Sequence, residues 1–201
     1  RTGISSSSIR RGDISEGDFD KIRDHAIEMQ NLPFYVDDTG GLSISQLSAR
    51  ARRLKRQKGL DLLIIDYIQL LSGSGRRSDN RVQEITEITT SLKALAKKLN
   101  VPIIALSQLS RQVEARDDKR PQLADLRESG SIEQDADVVL FVYREEYYHT
   151  PEEIDEQNLA GRALVIIAKH RNGPTGEVKL TWLRDYTRVV DAAHEYQVDP
   201  F

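Results

Sequence analysis

The chain has 201 residues, 38% of them hydrophobic and 30% charged, a balance that suits one globular domain. Its formal net charge of −3 argues against a uniformly basic nucleic-acid binder, so any DNA contact must come from local basic clusters. The absence of cysteine excludes a disulfide framework and a cysteine-ligated zinc site, and no apolar run approaches the roughly 20 residues of a membrane span, so we expect a cytoplasmic protein without membrane contact.

The N-terminal part of the chain predicts a helix followed by a short strand. Apolar residues recur at helical spacing over 19–29, after Ser15 or Asp18 as the N-cap. The run Phe34–Val36 then has the composition of a strand.

A second helix is predicted to begin after Ser43 as its N-cap and to end at Gly59. Its outer face is basic, which indicates either a solvated surface or a contact surface for an acidic partner. The basic residues of this face are Arg50, Arg52, Arg53, Lys55 and Arg56. The nearly continuous apolar run Leu60–Ile65 follows and predicts a strand that is covered on both faces, as in a parallel sheet.

The rest of the chain alternates helices and strands. A Gly/Ser-rich loop over 72–81 precedes a helix with one apolar stripe over 82–99, and the turn 172–176 joins the last two strands. Strands are predicted at Pro102–Leu106, Val138–Val142, Ala163–Ala168 and Glu177–Trp182. This order predicts an α/β fold with a mostly parallel sheet that finishes in an antiparallel hairpin at one edge.

Two polar residues follow predicted parallel strands, at the sheet edge where α/β proteins bind ligands. Asp66 comes directly after Leu62–Ile65, and such a carboxylate either holds Mg²⁺ on a nucleotide, generally through water, or caps a turn. Gln108 follows Ile103–Leu106, and its amide can either donate and accept hydrogen bonds at a γ-phosphate or stabilise a turn.

Five segments in order resemble the motor domain of DnaB-type bacterial replicative helicases. They are IDYIQLL at 65–71, SLKALAKKLNVP at 91–102, ALSQLSR at 105–111, DLRESGSIEQDAD at 125–137 and KHRNGPTG at 169–176. The resemblance covers residues 60–182. It implies a RecA-like P-loop NTPase fold, a homohexameric ring, ATP and Mg²⁺ as cofactors, and 5′ to 3′ translocation on single-stranded DNA. It also implies primase and a helicase loader as partners.

The resemblance assigns nucleotide chemistry to four residues. Asp66 matches the Walker B magnesium position and Gln108 the glutamine that senses the γ-phosphate. Lys169 and Arg171, two apart on one predicted strand and therefore on one face, match a trans-acting pair that reaches the γ-phosphate of the neighbouring subunit. Without the resemblance, the two cations would be interpreted as guarding a sheet edge.

The resemblance assigns DNA contacts to two further segments. Arg127, Glu128 and Gly130 match a central-channel segment that contacts the DNA backbone, where a glycine lets a backbone amide approach a phosphate without a Cβ in the way. As an alternative, Arg127 pairs with Glu128 or Asp125 in a structural role. The second segment is the 72–81 loop, whose first two arginines could equally be solvated; its arginines are Arg76, Arg77 and Arg81.

The phosphate-binding motif G-x-x-x-x-G-K-[ST] does not occur in the sequence. The family's catalytic glutamate and its primase-binding collar domain have no counterpart here either. We therefore expect residues 1–201 to be the C-terminal part of a motor domain that does not hydrolyse ATP alone. In a RecA-like sheet the missing strand lies between those ending at Leu106 and Val142, which predicts a slot of roughly 10 Å between their axes.

Two other functions remain possible at this stage. A RecA-type recombinase shares the fold and the Walker B strand but forms an open filament, and the segments at 125–137 and 169–176 fit the helicase better. A non-catalytic module that binds single-stranded DNA or caps a ring would need no phosphate-binding loop. We favour the ATP-dependent DNA helicase.

Overall fold

The structure, a computed structural model, describes residues 2–73, 80–126 and 130–192. The chain forms two compact units by its internal contacts. Unit 1 comprises Arg1–Asp38, Val142–Val165 and Glu177–Phe201, and unit 2 comprises Thr39–Phe141 and Ile166–Gly176. No helix in the described ranges combines the length and the apolar character needed to cross a membrane.

Unit 1 begins with helices α1 (Ser6–Arg11) and α2 (Glu16–Gln30). The predicted start of α2 is confirmed, because Ser15 caps it in a capping box with Asp18. The strand predicted at Phe34–Val36 is wrong: these residues lie in irregular chain and are exposed. β-branched and aromatic side chains favour a strand only when a neighbouring strand pairs with it, and none does so here among the described residues.

Unit 2 is built on helix α3 (Ile44–Lys58), strand β1 (Leu63–Ile65), helix α4 (Arg81–Leu99) and strand β2 (Ile103–Ala105). As predicted, Ser43 caps α3, and Gly59 follows its last residue with a φ of 85° that favours glycine. The strands β1 and β2 pair in parallel with Ile64 opposite Ile104, which confirms the parallel arrangement.

The core of unit 2 lies between these strands and the helices α3 and α4. Its fully buried side chains are Ile68, Ile85 and Ile88, and burial of an aliphatic side chain of this size stabilises a fold by about 1.5–3 kcal/mol. The prediction that both strands are covered on both faces is wrong within the described residues. Ile64 and Ile104 are 54% and 52% exposed, because no described helix packs on that face of the strands.

The second sheet follows helices α5 (Gln112–Ala115) and α6 (Gly130–Asp135), and helix α7 (Pro151–Glu156) lies between its first two strands. Its strand order is β3 (Val138–Tyr143), β4 (Arg162–His170), β5 (Gly176–Leu183) and β6 (Arg188–Asp191). The predicted hairpin is present as β4 and β5, but β6 pairs antiparallel with β5, so the hairpin is not the sheet edge.

Strand β3 alternates buried and exposed side chains. Val139 and Phe141 pack with Leu126 in a second apolar cluster, whereas Leu140 is 55% exposed. Burial of β3 on both faces was therefore also a wrong prediction. Strands β2 and β3 belong to separate sheets. The predicted slot of roughly 10 Å between them stays a prediction.

Candidate functional site

The strand pair β1 and β2 places two of the predicted site residues at one sheet edge. Beyond the last paired residues, the Leu106 amide donates to the Ile65 carbonyl over 2.9 Å, and the Ile68 amide donates to the Leu106 carbonyl over 3.0 Å. Asp66 and Gln108 therefore leave the sheet at the same carboxyl end, and both side chains are exposed there. This is the position at which open α/β sheets bind ligands.

The backbone at Gln108 is held by a side chain that the sequence analysis did not single out, Gln69. Its Nε2 donates to Ser107 Oγ over 3.0 Å and to the Gln108 carbonyl over 3.3 Å. Its Oε1 accepts the Gln108 amide over 3.2 Å. The main chain beneath Gln108 is thus fixed while the Gln108 side chain stays open to a ligand.

Arg81, one of the predicted DNA-contacting residues, makes contacts within its own chain at the start of α4. Its Nη2 donates to the Gln69 carbonyl over 2.7 Å, and its Nη1 pairs with Glu84. Glu84 Oε1 also accepts the Gly73 amide over 3.1 Å. Gly73, the residue before the 74–79 segment, is therefore tied to the first turn of α4, and Arg81 ties that turn to Gln69. Arg76 and Arg77 lie outside the described residues.

The other predicted DNA segment is described only at its end. Arg127 and Glu128 lie outside the described residues, and Gly130 is the first residue of α6. A Cβ added at Gly130 would meet no atom within 4 Å, so packing within the described chain does not require a glycine there.

The segment before Arg127 is organised by a partly buried ion pair between Arg116 and Asp125. Asp125 is only 5% exposed, and its two carboxylate oxygens accept from the two terminal nitrogens of Arg116 over 3.0 and 2.9 Å. The Gln122 amide donates to one of the same oxygens over 2.8 Å. Asp125 is therefore the partner of Arg116, and the alternative in which it pairs with Arg127 stays a prediction, because Arg127 lies outside the described residues.

Helix α6 is bound to α4 through hydroxyl groups. Thr89 Oγ1 donates to Asp135 Oδ2 over 2.7 Å, and Thr86 Oγ1 donates to Ser131 Oγ over 3.1 Å. Since α4 follows the 74–79 segment and α6 follows 127–129, both predicted DNA segments lead into the same packed helix pair.

Lys169 lies in β4, whereas Arg171 lies in the turn just after it, so the prediction that both are on one strand is wrong. Both side chains nevertheless contact the same end of α6. Lys169 Nζ donates to the Glu133 carbonyl, and Arg171 Nη2 donates to the Gln134 carbonyl over 3.2 Å. Arg171 Nη1 also lies 3.0 Å from Asp137 Oδ1. Cations stabilise the carbonyl groups at the end of a helix, here α6. The sheet-edge interpretation of the pair is wrong, because β4 lies between β3 and β5.

Asp137 pairs with cations from two elements, Arg171 after β4 and Lys93 of α4. Its second carboxylate oxygen pairs with Lys93 of α4. The hydrogen bond from Lys93 lowers the pKa of Asp137 below its ordinary value of 3.8, partial desolvation opposes this, and the charges of Lys93, Arg171 and Lys169 add to the lowering. Asp137 therefore stays ionised and orients Arg171. The motif at 125–137 contained this residue, but its spacing gave no sign of its partner.

The donor set at Asp66 suits one class of metal ion. Among the described residues, no group of three or more histidine or acidic side chains could hold a metal. A single exposed carboxylate at a strand end fits Mg²⁺, which keeps several waters and is bound through one or two carboxylates together with substrate phosphates.

Comparison with solved structures shows the class of this fold, a RecA-like ATPase domain. The ATPase domain of G40P superposes with a TM-score of 0.85 at 40% identity, over 95% of this chain and 66% of that one. A DnaB-like replicative helicase gives a TM-score of 0.83 at 39% identity, over 95% of this chain and 45% of its own. The report of that structure also covers its interactions with primase.

The sequence comparisons show the family. The model of the DnaB-like helicase C-terminal domain matches residues 1–191. The replicative DNA helicase DnaB of Rickettsia bellii (strain RML369-C) is 49% identical over 98% of this chain and 43% of its own length. The chain belongs to the DnaB-like helicase C-terminal domain family, and it spans less than half of that relative. The predicted resemblance and fold class are confirmed.

Proposed function

We propose that residues 1–201 are the C-terminal part of an ATP-dependent replicative DNA helicase motor. As a homohexameric ring it translocates on single-stranded DNA and unwinds the duplex at the replication fork, in the cytoplasm where bacterial replication takes place. The observation that carries the proposal is the shared carboxyl edge of β1 and β2, which presents Asp66 and Gln108 in a chain of this helicase family.

ATP and Mg²⁺ are the proposed cofactors at this edge. Asp66 would hold the metal through water, and the metal would supply charge stabilisation for the phosphates. Gln108 would contact the γ-phosphate with an amide whose main chain is already fixed by Gln69. An ordered main chain lowers the entropy lost when the side chain meets its ligand.

Lys169 and Arg171 are proposed to act on the nucleotide of the neighbouring subunit. Within the described part of the chain, their side chains bind the segment 133–137, whereas Asp66 and Gln108 lie at the end of another strand pair. A guanidinium held by one carboxylate keeps its planar donors oriented, which suits stabilisation of a transferring phosphoryl group.

DNA is proposed to contact the segments that lead into α4 and α6. A Cβ at Gly130 would meet no atom of the described chain. This supports the proposal that glycine is needed there to let a DNA phosphate approach the backbone. The proposed DNA-contacting residues are Arg76, Arg77, Arg81, Arg127, Glu128 and Gly130. Primase and a helicase loader are proposed partners, and the primase interactions described for a related helicase support the first of these.

Unwinding of a forked DNA substrate by the full-length protein tests this function. We expect strand separation that requires hydrolysable ATP and Mg²⁺, from a closed ring seen by electron microscopy. Tight binding of single-stranded DNA without nucleotide-dependent unwinding would favour a non-catalytic module. Nucleotide-dependent open filaments without unwinding would favour a RecA-type recombinase.

A further inference from the structure

We infer that Gln69 is a positioning residue that fixes the Gln108 peptide and links it, through Arg81, to the first turn of α4. The inference rests on the proposed function, because it concerns how Gln108 meets a nucleotide. Gln69 does not reach the nucleotide itself in this scheme. It acts through the backbone of Gln108, to which its side chain is bound.

The orientation of the Gln69 amide is specified by its three hydrogen bonds. Its nitrogen faces two acceptors, Ser107 Oγ at 3.0 Å and the Gln108 carbonyl at 3.3 Å, and its oxygen faces the Gln108 N–H at 3.2 Å. Rotating the amide by half a turn would set oxygen against carbonyl and nitrogen against N–H. The Gln69 side chain therefore has one arrangement that satisfies its neighbours, and that arrangement fixes both polar groups of the Gln108 peptide.

The backbone that carries Gln69 is anchored on both sides. It lies in the short 3₁₀ turn Ile68–Leu70. Ile68 is 1% exposed, Leu71 is 7% exposed, and the Ile68 amide donates to the Leu106 carbonyl. A well-packed turn of this kind resists displacement, so the amide of Gln69 has a rigid base.

The carbonyl of Gln69 carries the link to the 74–79 segment. Arg81 donates to it over 2.7 Å and is itself paired with Glu84, which accepts the Gly73 amide. Hydrogen bonds thus run from Gly73 through Glu84, Arg81 and Gln69 to the peptide of Gln108. A ligand that draws the Arg81 guanidinium away would remove one hydrogen bond from the Gln69 carbonyl and so change the support of the Gln108 peptide.

The first test compares ATP turnover by full-length wild type, Gln69→Ala, Gln69→Glu and a matched control, Gln157→Ala. Gln157 is an exposed glutamine just after α7. We expect Gln69→Ala to lower kcat by about 10- to 100-fold, the effect of a misplaced catalytic group, with little change in KM for ATP. We also expect a smaller stimulation of turnover by single-stranded DNA. The control should behave as wild type.

Gln69→Glu keeps the length of the side chain and removes its donors to Ser107 and Gln108. It should lower kcat in the same direction, so the test does not depend on the alanine variant folding. Thermal unfolding and ring assembly are measured for each variant. An unchanged kcat and an unchanged DNA stimulation in Gln69→Glu would overturn the inference.

A double-mutant cycle separates a positioning role from a merely structural one. If Gln69 acts through Gln108, then Gln69→Ala should cause almost no further loss of kcat in a Gln108→Ala background. Full additivity of the two losses would overturn the inference while leaving the helicase function intact. A wild-type protein that hydrolyses no ATP would overturn the proposed function itself, so the two failures are distinguishable.

Discussion

The two polar clusters of unit 2 are built from opposite kinds of interaction. At the end of β1 and β2, neutral amides and backbone groups hold Gln108, and the only charges in that chain of bonds are Arg81 and Glu84. At the end of β4, Lys169 and Arg171 are held by carbonyl groups and by Asp137. The first cluster fixes the position of the Gln108 backbone, whereas the second places two cationic side chains beside the Asp137 carboxylate.

This difference has consequences for what each cluster can do. Neutral hydrogen bonds between short, anchored side chains respond little to salt or to pH near neutrality, so they suit a group that must sense a ligand reproducibly. Ion pairs between exposed side chains are weakened by salt and exchange partners readily. Under the proposed function, Arg171, whose side chain is 47% exposed, would leave Asp137 for a more highly charged phosphate.

The largest expected effect belongs to the carboxyl edge of β1 and β2, where Asp66 lies. Asp66→Ala in the full-length protein should abolish ATP hydrolysis, because it removes the carboxylate at the end of β1 that is proposed to hold Mg²⁺. The fold should be unaffected, since the Asp66 side chain is exposed and outside the core. Phosphate release and thermal unfolding measure the two outcomes. Normal turnover would remove Asp66 from the site.

Arg171→Ala should lower turnover on the order of 10³-fold, as loss of an arginine finger generally does. Nucleotide binding should barely weaken, because the guanidinium stabilises charge that develops only in the transition state. Arg162→Ala is a matched control, since Arg162 is exposed at the opposite end of the same strand. A parallel loss of nucleotide affinity in Arg171→Ala would assign the residue to binding.

A smaller effect is expected from Arg127→Ala on DNA. Affinity for single-stranded DNA should fall without base preference, and the slope of log K against log salt should become shallower by about 0.7, one phosphate contact. Titrations at several salt concentrations measure the slope. A loss of thermal stability with an unchanged slope would favour a structural arginine.

The smallest expected effect is on the free energy of unfolding, through the Asp137 ion pairs. Because the folded pKa of Asp137 is lowered, its contribution to stability is present above its ordinary pKa of 3.8 and is lost as the pH falls through the folded value. Asp137→Asn should therefore be less stable than wild type at neutral pH and low salt, by no more than about 1 kcal/mol, as for exposed pairs. The difference should shrink in acid and in high salt, whereas Gln69→Ala should show no such dependence. If the stability difference between wild type and Asp137→Asn stayed the same in acid, the role of ionised Asp137 would be contradicted.

Local rules explain why parts of the fold could be predicted from the sequence. Helix starts at Ser15 and Ser43 and the helix end at Gly59 depend on residues within one turn, and all three are confirmed. The strand β6 was missed because Arg188–Asp191 has a mixed composition and is a strand only through pairing with β5. The exposed faces of β1, β2 and β3 were also missed, since an apolar run does not reveal what covers it.

The sequence analysis identified the exposed residues of the candidate site, and it missed the residues that support them. Asp66 and Gln108 follow strands, and this position is visible in the sequence. Gln69 and Lys93 act on partners 39 and 44 residues away, respectively, so no local pattern marks them. Both lie inside motifs that the resemblance had drawn attention to, which was the one available signal.

The central claim is that the edge carrying Asp66 and Gln108 and the cluster carrying Lys169 and Arg171 complete one catalytic site across a subunit boundary. Mixing two inactive variants of the full-length protein tests this claim most directly. Asp66→Ala rings and Arg171→Ala rings are dissociated, mixed and reassembled, with mixed rings verified by native mass spectrometry. A ring in which Asp66 of one subunit faces Arg171 of its neighbour contains some complete sites, so we predict ATP turnover well above that of either variant alone, highest near equal proportions. Verified mixed rings that stay inactive at every ratio would contradict the account.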